Sequence, residues 1–114
     1  MAFNYTATST LSNGDVVLMG KIAHGTTVLD GYVVQTDGDT GLLSAGITAV
    51  DSLLASTSVS AGNLVRFTNG LPYTVSVSDA ATIRHEYVRI ALDADFTASA
   101  KFAVVLFCKA KGDF

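Results

Sequence analysis

The segment Gly20-Lys21-Ile22-Ala23-His24-Gly25-Thr26-Thr27-Val28-Leu29-Asp30-Gly31-Tyr32-Val33-Val34 limits the folds open to this chain more than any other. It reads as the end of one strand, a tight turn at His24-Gly25 and a long second strand. Val, Thr and Tyr dominate it, and these residues fit a pleated surface. Strand side chains alternate with period two, so the second strand aims Leu29 and Val33 one way and Val28, Tyr32 and Val34 the other. Both faces are then largely apolar. Such a strand is covered on both faces, either inside a sandwich or under a neighbouring subunit.

The remaining strands arrange themselves around this one. Phe3 to Thr10 alternates weakly and reads as an edge or arm strand. Asn13-Gly14 is a turn signal before a strand over Val16 to Ile22, with Val16, Leu18 and Ile22 on one face. Leu42 to Thr48 aims Leu43, Ala45 and Ile47 to one side, and Gly46 within it marks a bulge or a close backbone approach. Val50 to Ala55 reads as a helical turn or a continued strand, and the small polar stretch Ser56 to Asn63 as a loop. Leu64 to Phe67 is briefly extended. Leu71-Pro72 opens a strand in which Tyr73, Val75 and Val77 face inward. Thr82 to Leu92 alternates Val88, Ile90 and Leu92 with Tyr87, Arg89 and Ala91. Lys101 to Cys108 closes the series, apolar on both faces, with Phe102, Val104 and Leu106 against Ala103, Val105 and Phe107. No window holds a helical period with caps. Seven or eight short strands punctuated by turn signals predict an all-β, antiparallel β-sandwich or barrel of about eight strands.

A chain of 114 residues suits a single domain, 1–114, able to bury a core without disulfides or metals. Residues 1–12 read as an N-terminal arm reaching to an adjacent subunit. Charged residues make up only 15%, against about 25% in an ordinary soluble domain. A surface this poor in charge favours an oligomer or assembly that covers part of it. The net charge is −3 with seven scattered basic residues, so no basic stripe exists for nucleic acid. No apolar run is long enough for a transmembrane helix, and the N-terminus has no signal-peptide pattern. The lone cysteine, Cys108, sits in an apolar strand as a small buried hydrophobe.

Chemistry-bearing patterns are scarce. His24 sits at a turn. His85 and Glu86 are adjacent and aim to opposite faces of a strand, so they do not act together. The loop Thr36 to Gly41 carries Asp37 and Asp39, which invites a calcium reading, yet it lacks the spacing and terminal Glu of an EF-hand. It reads as a solvated hairpin loop in which Asp and Gly supply turn geometry. Asp30 interrupts an apolar strand; Arg84 or Arg89 would be its partner if it is buried, and solvent if it is not. No phosphate loop, nucleophile elbow or paired-cysteine metal motif is present. Neither an enzyme nor a cofactor or metal is expected.

The run Gly20 to Asp30 resembles a recurring phrase in small structural proteins of tailed bacteriophages: a basic residue, apolar, small, any, Gly, any, any, apolar, apolar, Asp. Ala45-Gly46-Ile47 after the polar loop, Gly70-Leu71-Pro72-Tyr73, and the closing strand Phe102 to Cys108 extend the similarity over roughly residues 16 to 108. Members of the head decoration, or cement, type have β-sandwich or jelly-roll domains and no catalytic residues. The resemblance implies a jelly-roll-like sandwich within the virion and does not fix its place on the particle; the first expectation is a decoration protein on the phage head, made in the host cytoplasm. Its expected partners are the major capsid protein and further copies of itself, as a homo-oligomer and expected trimer. Phe3 and Tyr5 of the arm, with Val28, Tyr32, Val105 and Phe107 on the second apolar face, are the expected interface. A tail or neck component is the alternative within the same particle. A β-sandwich glycan-binding module is the alternative outside it, disfavoured by the absence of Trp.

Overall fold

Among the described residues the alternating segments form nine strands: β1 (Ala2–Thr6), β2 (Val16–Ala23), β3 (Thr27–Asp37), β4 (Gly41–Ile47), β5 (Leu54–Val59), β6 (Leu64–Arg66), β7 (Tyr73–Thr74), β8 (His85–Leu92) and β9 (Lys101–Lys109). The computed structural model describes residues 2–37, 40–47, 52–75, 85–96 and 100–109, and no helix occurs among them. One sheet runs β1-β9-β3-β6, with β7 also paired to β3; the other runs β2-β8-β4-β5. All strand pairs are antiparallel. The first strand pairs with the last, β2 with β8, β3 with β6 and β4 with β5. This nesting is a long antiparallel hairpin rolled into two layers, the jelly-roll arrangement, with β7 as a short addition.

The roll places β1 and β2, β2 and β3, and β3 and β4 in opposite sheets in turn, while β4 and β5 pair side by side in one sheet. The turn at His24-Gly25, where Gly25 holds a φ of 87°, therefore carries the chain from one layer to the other. Its glycine N–H donates to the Val75 carbonyl at 2.8 Å, and the Val75 N–H donates to the Thr26 carbonyl at 2.8 Å. β3 and β4 lie in different sheets, so the expected hairpin between them is corrected; Gly38 and Asp39 lie outside the described residues. Arg84 and Val77 also lie outside them.

The core fills the space between the layers. Phe102, Val104 and Leu106 of β9 and Val33 of β3 face Val88, Ile90 and Leu92 of β8 and Leu43, Ala45 and Ile47 of β4; all are buried. Phe96 meets Phe102 edge to face at 5.3 Å. Each large apolar side chain removed from water contributes about 1.5–3 kcal/mol. This layer, with no disulfide or metal needed to explain it, is what holds the sheets together.

Two β-bulges change the parity expected from strict alternation. In β2 the register shifts between Leu18 and Gly20. Val17 and Met19 then point into the core, as does Ile22 beyond the bulge, while Val16 and Leu18 are exposed. In β3 the shift falls between Val28 and Asp30, with Leu29 as the extra residue. An inserted residue flips every side chain after it. Val28 is therefore fully buried, and it leaves the expected interface. Ser56 to Asn63 also departs from expectation: residues up to Val59 belong to β5, an edge strand whose Leu54 and Val59 are buried while the Ser and Thr residues between them face mostly outward. A strand with so few apolar residues shows no period until its ladder with β4 supplies one.

Residues 2–6 are not a free arm. β1 pairs residue for residue with β9 of the same chain, Phe3 opposite Val104 and Tyr5 opposite Phe102. Phe3 and Tyr5 are half-buried against the chain's own core. Phe3 reaches across to β2 and rests on Gly20, closing one side of the sandwich.

Candidate docking surface

The outer face of the β1-β9-β3-β6 sheet collects apolar side chains that the core does not use. Cross-strand register places Tyr32 of β3 between Val105 of β9 and Arg66 of β6, and Val34 between Ala103 and Leu64. Phe107 stands opposite Asp30, beyond the bulge. Phe107 is 53% exposed and Leu64 52%, while Tyr32, Val34 and Val105 are half-buried by one another. The rings of Tyr32 and Phe107 lie 6.3 Å apart, tilted by 51°. Leu29, pushed outward by the bulge, is exposed at the same end of the sheet.

One ion pair borders this face. The Arg66 guanidinium donates to the Asp30 carboxylate. The Gly31 backbone N–H donates to the other Asp30 oxygen at 2.8 Å. These two contacts, the Gly31 N–H first and Arg66 second, hold the Asp30 carboxyl below the usual carboxylate range. Both charged groups are partly in water, so the pair orients more than it stabilises. The expected partner Arg89 instead approaches Glu86 at 3.8 Å, in the other sheet.

Gly31 fixes how closely the layers of this face pack. A Cβ there would come 2.7 Å from the Val105 carbonyl oxygen and 2.9 Å from the Phe67 ring. Phe67 also donates its N–H to the Gly31 carbonyl at 2.9 Å. The chain leaving β6 is thus tied to β3 at Phe67.

Of the six expected interface residues, Tyr32, Val105 and Phe107 share this outer face. Phe3, Tyr5 and Val28 turn inward. Alternation had already set Val34 on the face of Tyr32, though not in the expected interface; Leu64 was missed, because only the register of β6 on β3 brings it in and a three-residue strand offers no period of its own. The other sheet also exposes apolar side chains, with Val16, Leu18 and Leu42 each about half exposed. The two histidines come to one end of the sandwich, since His85 stands opposite Ala23, next to His24. His85 packs edge-on against Tyr87 at 5.4 Å. Among the described residues, no three His, Cys, Asp or Glu side chains form a group that could hold a metal. Cys108 is half-buried opposite Val28, and burial pushes its thiol above the ordinary range, which disfavours the reactive thiolate.

No protein-family model and no curated protein matches the chain. Two solved structures share its fold. A chain of the structure titled "Capsid of Ralstonia phage GP4" superposes with a TM-score of 0.79 at 21% identity, covering 98% of this chain and 83% of that one. A chain of "Cyanophage Pam1 capsid asymmetric unit" superposes at 0.76 and 19% identity, covering 96% and 81%. The jelly roll described above is therefore a fold that occurs nearly whole in chains from two phage capsid structures.

Proposed function

We propose that this chain is a structural protein of a bacteriophage capsid, of the decoration type, which binds the outer surface of the head shell and stabilises it by bridging capsomers. The observation that carries the reading is the likeness, over nearly the whole chain, to chains found in two phage capsid structures. The exposed apolar face gives the reading a physical means. Four strands at about 4.8 Å spacing and about six residues of length cover roughly 400 Å². That is about half of one side of a standard pairwise interface. One copy docked by this face alone binds weakly. A trimer at three-fold positions multiplies the contact, because the second and third copies bind as intramolecular events. Tyr32, Val105 and Phe107, with Leu64 at the margin, meet the shell in this reading. The role is non-enzymatic and needs no cofactor. It places the protein in the virion, on the head.

The test is reconstitution. Heads lacking this protein are mixed with the purified chain, and shell rupture temperature is followed with particle-bound protein. Binding that raises the rupture temperature supports decoration. Binding at the tail or neck alone moves the chain elsewhere on the particle. No binding, together with capture by a polysaccharide, favours a glycan-binding module.

A further inference from the structure

We propose that the edge of β1, unpaired among the described residues, pairs with β1 of a second copy of this chain, antiparallel, about a two-fold axis through Asn4. An open edge is a template for another strand unless something blunts it. The other edges are blunted. β2 carries a bulge and Lys21, β5 departs from regular register beside β4, and β6 is three residues long and ends in Arg66. β1 has five residues in unbroken register with β9 and carries no charge, proline or bulge.

The hydrogen-bonding direction of β1 follows from one contact. The Ala7 N–H donates to the Ala100 carbonyl at 2.9 Å, extending the β1–β9 ladder. In an antiparallel ladder a residue's N–H and C=O point to the same side, and the side alternates along the strand. Tyr5 and Phe3 thus turn their backbone groups to β9, while Ala2, Asn4 and Thr6 turn theirs to the open edge. Two copies related by a two-fold axis set Asn4 opposite Asn4 and Ala2 opposite Thr6, and form about six backbone hydrogen bonds.

The side chains select a second copy of this chain as the occupant. The strand reads Ala-Phe-Asn-Tyr-Thr, aromatic on either side of a central Asn. The two-fold places Phe3 beside the mate's Tyr5 on the core side and Asn4 amide beside Asn4 amide on the outer side. No like charges meet across the axis, because β1 has none. Half-buried Phe3 and Tyr5 become covered, and the apolar layer runs on from one copy into the next. This contact is separate from shell docking and stands on the geometry of β1 alone. In a decorated lattice it joins neighbouring trimers at two-fold positions.

Cross-linking tests it in a Cys108→Ser background. Residues opposite each other have Cα atoms about 5.5 Å apart, within disulfide reach. Thr6 lies roughly 13 Å from the mate's Thr6, out of reach. Under mild oxidation, Asn4→Cys is expected to dimerise at least about tenfold faster than Thr6→Cys, and Ala2→Cys mixed with Thr6→Cys to give the mixed dimer. Asn4→Pro removes an N–H that faces the edge and makes no bond to β9; added to the mixed pair, it is expected to abolish the cross-link with the unfolding midpoint retained. Equal rates for Asn4→Cys and Thr6→Cys, a monomeric Asn4→Cys, or a cross-link that survives Asn4→Pro overturns the proposal.

Discussion

The ring of Phe3 occupies the space that a Cβ on Gly20 would fill, so that the first strand of one sheet is seated on the second strand of the other. Gly20→Ala forces the ring outward. Phe3 is half exposed and can swing, so the expected loss is about 1 kcal/mol, at the lower end of overpacking costs. In a Phe3→Ala background the same change is expected to cost much less. A double-mutant cycle by urea unfolding measures the coupling. Equal costs in the two backgrounds would mean that the ring does not rest there.

Gly31→Ala is expected to be worse. Its Cβ meets the Val105 carbonyl oxygen at 2.7 Å, and backbone in a central ladder cannot swing away. The expected loss is about 3 kcal/mol, the upper end of overpacking costs. The ordering Gly31→Ala below Gly20→Ala in urea midpoint checks the difference between a rigid and a movable neighbour.

Asp30 sets an acid dependence. Its folded carboxyl titrates below its ordinary value of 3.8, because the Gly31 N–H and Arg66 favour the charged form. A depressed carboxyl contributes stability that is present above the unfolded pKa and lost as pH falls through the folded one. The expected window therefore lies below about pH 4. Arg66→Ala is expected to raise the Asp30 pKa only partway to 3.8, because the larger cause, the Gly31 N–H, remains. A carboxylate titration by NMR reads both values, and Asp30→Asn should remove this part of the acid loss from the unfolding curve.

Position on a strand decides what an apolar residue does. Phe102 and Phe107 lie in one strand and face opposite ways, 1% and 53% exposed. Phe102→Ala is expected to cost about 3–5 kcal/mol, as large-to-small changes in cores do. Phe107→Ser and Tyr32→Ser are expected to fold with a nearly unchanged midpoint and to lose shell occupancy in the reconstitution. Denaturation and particle-bound protein, measured on the same samples, separate the two kinds of residue.

The strands that the sequence showed clearly are those in which alternation runs unbroken, such as Val88-Ile90-Leu92 and Phe102-Val104-Leu106. Tyr32, Val105 and Phe107 were legible as an outer apolar set for the same reason. Val28 was not, because the bulge at Leu29 is set by how β3 meets β9, and a one-residue insertion leaves no mark in residue type. Phe3 and Tyr5 looked like arm residues because an edge strand and an arm share a composition; only pairing with β9 tells them apart. The Asp30–Arg66 contact spans 36 residues of chain and depends on the register of a three-residue strand. Leu64 joined the outer face through that same register.

The most direct test of the central claim is the copy number of this chain in purified particles, measured by quantitative mass spectrometry against the major shell protein. A structural component of the head lattice is expected in simple whole-number ratio to the shell protein. A few copies per particle, or none, would contradict it.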